Sequence, residues 1–194
     1  GYLALLDLGL VAVALHRRWF HLVPLGAAGT VLMIIGWADK FYAPEKTVTA
    51  MVVCLGFSVL YFVANEIGRR LDRHNPLLPQ TAIVLPGVAY FAAWFFLDHP
   101  AVAAQTGLFF GYVFLASLIV FALAWREEQP GLVATAAGAT VVLLTRWSIG
   151  TFSVAQAPVI VTVCLGASVI YFVAYLVARR SARVSPAVLW SAIG

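Results

Sequence analysis

Few residues in this chain could do chemistry, and most of them lie inside apolar runs. After Thr47 come Cys54, Ser58, Tyr61 and Asn65, at spacings of seven, four, three and four. Those offsets place them on one face of a helix. Cys164, Ser168, Tyr171 and Tyr175 draw a matching stripe near the other end of the chain. Thiol, hydroxyl and amide groups so arranged can line a polar pathway for a solute. They can equally form a packing seam, in which small residues let helices approach and hydroxyls bond across the contact. A buried tyrosine hydroxyl needs a partner either way, because mid-membrane there is no bulk water to supply one. Asp7 is the only acid well inside an apolar run. A carboxylate at bilayer depth is costly and marks a functional site by default. The alternative is an acid at the membrane edge or one facing the bundle. Both readings stand, because the depth of Asp7 depends on where its span begins.

Outside these groups the chain offers little to a catalyst. It has no phosphate-binding loop, no nucleophile elbow and no HExxH pair. Cys54 and Cys164 lie in separate apolar runs without metal or redox spacing, and read as small buried hydrophobes. His16 and His21 flank one loop, while His74 and His99 fall in two others. Glu66 stands three and four residues before Arg69 and Arg70, the spacing of a local ion pair. No catalytic residue, metal site or cofactor is therefore expected in this chain, and an enzyme would need parts that lie elsewhere.

The elements that hold these residues are membrane spans. Of 194 residues, 63% are hydrophobic and 10% charged, and mean hydropathy is +0.96. Soluble domains carry about 25% charged residues. A core this apolar has too little polar surface to face water, which makes the chain a polytopic membrane protein. The net charge of +4 would suggest nucleic acid in a soluble protein. Here the basic residues sit in short loops between apolar runs and act as topology signals, so nucleic acid is not an expected partner.

Seven spans and the start of an eighth are predicted. They cover residues 1–15, 22–37, 47–68, 80–97, 104–125, 130–147 and 157–178, with the last beginning near Pro186. The run at 22–37 is short for a hydrocarbon core of about 30 Å, so it is expected to stand upright or to thin the bilayer. Phe41 and Tyr42 read as part of an aromatic belt, and Arg146 as a side chain that snorkels from the end of the sixth span. Both ends fall inside apolar runs, so the chain is read as a piece of a longer membrane protein.

Laying residues 1–84 over 111–194 needs no gap and gives 28 identities. Residues 163–174 match 53–64 at ten of twelve positions, and Trp37/Trp147, Pro76/Pro186 and the pair Arg69-Arg70/Arg179-Arg180 also coincide. Matches at Cys, Trp, Pro and paired Arg are harder to reach by chance than matches among Leu, Val and Ala. The predicted fold is accordingly an all-α integral membrane bundle built from two parallel four-helix repeats, 1–110 and 111–194, the latter truncated in its fourth helix. A unit of four spans must enter the membrane the same way twice, whereas inverted repeats need an odd number. Nine Lys and Arg fall in the loops after odd-numbered spans and three in the others. The loops at Arg17, Arg69 and Arg179 are thus expected on the cytoplasmic side and Gly1 on the outer side.

The runs Tyr2–Leu10, His16-Arg17-Arg18-Trp19, Gly36-Trp37-Ala38 and Phe41-Tyr42-Ala43-Pro44-Glu45 resemble a bacterial family of large multi-pass membrane proteins, domain of unknown function 2339. The resemblance spans the whole chain and implies the bacterial cytoplasmic membrane, with further helices of the same chain as neighbours. It carries no activity, cofactor or catalytic residue. Besides an intramembrane enzyme, the weakest reading, two function classes remain. One is a structural or assembly scaffold, surrounded by lipids and holding other membrane proteins. The other is a transporter, channel or lipid-handling protein that uses the two polar stripes.

Overall fold

The computed structural model describes residues 2–72, 75–99, 102, 105–151 and 157–181. Within them the chain forms seven long helices and no strand. These are α1 (Tyr2–Arg17), α2 (Leu22–Phe41), α3 (Thr47–Arg70), α4 (Leu77–Phe96), α5 (Thr106–Arg126), α6 (Gly131–Thr151) and α7 (Ala157–Ser181). A short 3₁₀ turn, Pro44–Lys46, leads into α3. All but α1 are long and apolar enough to cross a membrane. At 1.5 Å per residue, the 16 residues of α1 reach only about 24 Å. The eighth span expected from Pro186 lies outside the described residues.

Helix ends differ from their expected places for identifiable reasons. α2 is 20 residues long and continues through Lys40 to Phe41, so it matches a core of about 30 Å and needs no thinning of the bilayer. A lysine in the last turn carries its charge to the interface on a long stem, and the helix need not stop before it. α4 begins at Leu77, earlier than its apolar run suggests. Its first amide is capped by the Asn75 side chain at 3.0 Å, and Pro79 sits in the first turn, where its missing N–H costs nothing. α6 continues past Trp147 to Thr151, so Arg146 is inside the helix and half-buried, not at its end. Part of the connector expected from Ser148 is therefore helical. Arg18, Asp72 and Glu128 follow α1, α3 and α5 with φ of 59°, 53° and 54°. Each turns its helix out through the left-handed region that glycine usually supplies at such ends.

Apolar side chains cover much of the outside. Leu5, Leu32, Val52, Phe91, Ile149 and Phe172 are each more than half exposed. Soluble monomers rarely present so wide an apolar surface, whereas lipid tails accept it at no cost.

The chain divides into two compact units, Gly1–Ile119 and Val120–Gly194, with the boundary inside α5. In the first, α3 and α4 share the most extensive contact, and α1 packs on α2 and α3. Its core gathers Val11, Ala14, Val23, Phe57, Tyr61 and Leu85. The three alanines of α4 without accessible surface, Ala82, Ala89 and Ala93, allow close helix approach. Pro86, also buried within α4, removes one backbone hydrogen bond, which packed neighbours make tolerable. In the second unit α6 pairs with α7, around Ala124 and Val133 with Phe121, Tyr171 and Tyr175 packed against them.

Tyr42 is half-buried just after α2. Its ring stands against Phe95 and His99, with centroids 5.2 and 4.6 Å away. Its hydroxyl lies 2.7 Å from that of Thr47, which donates to the Pro44 carbonyl at 2.7 Å. This clasp ties the end of α2 to the start of α3. Thr47→Val should cost about 1 kcal/mol, read as a lower midpoint of detergent-induced unfolding, with no change in helix content.

Candidate functional site

Three helix faces converge in the first unit. On α1, Asp7, Val11 and Ala14 are buried at offsets of four and three; on α2, Val23, Gly26, Ala27 and Thr30 are. On α3 the buried face runs Thr47, Ala50, Met51, Cys54, Phe57, Ser58, Tyr61, Ala64, Asn65 and Gly68. This alternation of three and four is the signature of a helix packed along its whole length.

Asp7 is completely buried. The Thr30 hydroxyl donates to its Oδ2 at 2.6 Å. Its Oδ1 has no partner among the described residues, although the Tyr61 hydroxyl stands beside the carboxyl. Gly26 makes the room. A Cβ built there would lie 3.1 Å from the Tyr61 hydroxyl oxygen and 3.4 Å from Asp7 Oδ1. Asp7 thus faces the helix bundle and not its surface.

The stripe on α3 is enclosed. Cys54, Ser58, Tyr61 and Asn65 keep 4%, 0%, 2% and 3% of their surface. Ser58 donates to the Cys54 carbonyl at 2.9 Å, back within its own helix. Cys54 faces the Tyr112 side chain, and Tyr112 donates to the Ala89 carbonyl at 2.8 Å. Tyr90 and Ser117 meet at 2.7 Å between α4 and α5.

The stripe on α7 has a different setting. Cys164 and Ser168 are exposed among the described residues, and Ser168 donates to the Cys164 carbonyl. Tyr171 is half-buried, bonded to the Thr140 hydroxyl and donating to the Ala136 carbonyl at 3.2 Å. Tyr175 is half-buried beside the small core of that unit. At the end of α3, Glu66 accepts from Arg70 at 3.4 Å. Both side chains retain surface, so the pair is worth little.

Sequence reasoning missed Thr30 and Gly26 as partners of Asp7. The repeated Thr30/Thr140 match was the available signal, but nothing local ties a threonine to an acid 23 residues away. It also missed the contacts of Tyr112, Tyr90 and Ser117. Besides this polar seam, a half-open apolar groove of about 1310 Å³ runs over the first unit, lined by residues such as Ile34, Val53, Phe57, Leu60, Val88 and Phe91. Among the described residues no three of His, Cys, Asp and Glu come together as metal ligands would. No protein-family model, no curated protein and no solved structure matches this chain.

Proposed function

We propose that this chain is a membrane-embedded scaffold, a portion of a larger multi-pass protein of the bacterial cytoplasmic membrane. Its helices serve to hold further helices of the same protein, other membrane proteins and surrounding lipid in place. The proposed plan is two parallel four-helix repeats, with the loops at Arg17, Arg69 and Arg179 on the cytoplasmic side. One observation carries the reading. Every member of the polar stripe on α3 is buried, which suits a seam better than a water-lined route for a solute. The exposed Cys164 and Ser168 of α7 present the same residue types on an open face, as a scaffold awaiting a neighbour would.

The test uses thiol chemistry. In a Cys54→Ala, Cys164→Ala background, Ser58→Cys should stay unreacted with a membrane-impermeant maleimide until the protein is unfolded. Rapid labelling in the folded state would defeat the scaffold in favour of a pathway. For orientation, a reporter fused after Arg70 should behave as cytoplasmic and one after Asp98 as external, and the reverse would overturn the assigned sidedness.

The groove favours a second reading, lipid handling. Its walls are apolar and open, and its volume suits acyl chains. A bound chain would resist detergent exchange and be lost on Gly56→Phe, a substitution on the groove wall where an added side chain meets nothing. A pure scaffold predicts no such loss.

A further inference from the structure

Asp7 stands about 15 Å from the end of α1, counting the ten residues to Arg17 at 1.5 Å each. Thr30 is about 12 Å into α2, and Tyr61 about 14 Å from the end of α3. All three depths agree with the middle of a hydrocarbon core of about 30 Å. A bare carboxylate there loses its hydration, and one hydroxyl bond does not replace it. Among the described residues Asp7 has no ion pair, and Tyr61 is the titratable side chain set against it. Something positive must balance it.

The matching positions carry no acid: residues 110 positions on from Asp7 and Gly26 are Ser117, which lies in the first unit against Tyr90, and Ala136. The corresponding hydroxyls, Thr140 and Tyr171, bond to each other, and Tyr171 also donates to the Ala136 carbonyl. In the first unit the carboxylate stands beside the Tyr61 hydroxyl and accepts from Thr30, and the missing side chain of Gly26 leaves the space beside its free oxygen. Acid and glycine thus stand at adjoining positions in the first unit.

We propose that Asp7 Oδ1, with the Thr30 and Tyr61 hydroxyls around it, binds one small monovalent metal cation, a sodium ion, in the membrane interior. Thr30 holds the carboxyl in one orientation through Oδ2, and Oδ1 faces the space over Gly26. The cation neutralises the carboxylate where no basic side chain among the described residues does.

The full chain, purified in nanodiscs, is melted in sodium chloride and in N-methylglucamine chloride of equal ionic strength. The midpoint rises in sodium by roughly 5 °C or more at about 100 times Kd. Asp7→Asn and Asp7→Ser, the latter borrowing the residue found at position 117, abolish the rise, as does Gly26→Ala by filling the space. Glu66→Gln, near the end of α3, keeps it. Equal midpoints in the two salts would overturn the proposal, and so would a sodium response that survives in Asp7→Ser. The readout does not depend on the scaffold reading.

Discussion

Tyr112→Ala is expected to cost about 3–5 kcal/mol of folding stability, while Tyr2→Ala stays within about 0.5 kcal/mol. The two tyrosines stand 110 residues apart at matching places in the chain, each just after a glycine. Their surroundings differ completely. Tyr2 is 78% exposed and Tyr112 is 3% exposed. The Tyr112 ring meets Phe96 edge-on at 5.9 Å, and its side chain faces Cys54. Its hydroxyl donates to the Ala89 carbonyl. Truncation opens a cavity where α3, α4 and α5 meet, in a region too well packed to close over it. Tyr112→Phe separates the contributions. It keeps the ring and loses one hydrogen bond, worth about 0.6 kcal/mol on average in membrane interiors and at most about 1.7 kcal/mol. The measurement is unfolding by SDS in mixed micelles, followed by tryptophan fluorescence. Similar losses for Tyr112→Ala and Tyr2→Ala would show that the Tyr112 contacts do not hold the first unit together.

The same pair shows what the sequence could tell. Where helices lie is written in long apolar runs broken by basic or proline-rich loops, and the seven helices sit where those runs do. That signal is local. Which positions on a helix face another helix was legible on α3, whose polar residues and small residues share one stripe at alternating spacings of three and four. The burial of Asp7 was not, because it is decided by Thr30 and Gly26 on another helix. Nor was the contrast between Cys54, which is buried, and Cys164, which is exposed. Ten of twelve residues around them agree, so the difference comes from what packs against each helix and not from the helix itself. Helix ends were misjudged for a simpler reason. Asp39-Lys40 and Arg146 bring charge near the ends of their apolar runs, and long basic side chains let a helix run on beyond that point.

Ala89→Leu should destabilise the first unit by about 1–3 kcal/mol, although it makes α4 more apolar. Composition alone predicts the opposite sign or none. Ala89 has no accessible surface, lies on the helix that makes the widest contact with α3, and offers its carbonyl to Tyr112. Three added carbons have nowhere to go. They must push α4 from its neighbours or displace the Tyr112 hydroxyl, and in lipid no gain in hydrophobic burial offsets the lost packing, because the tails outside are as apolar as leucine. The control lies two residues away on the same helix. Gly87 is exposed, and a Cβ there meets nothing within 4 Å. Gly87→Leu should leave stability unchanged or raise it by up to about 1 kcal/mol, since glycine is the poorer helix former. Opposite signs at two sites this close would show that tight fit between α4 and its neighbours, rather than apolar content, holds the first unit together. If both substitutions proved neutral, the contact between α4 and α3 would be loose.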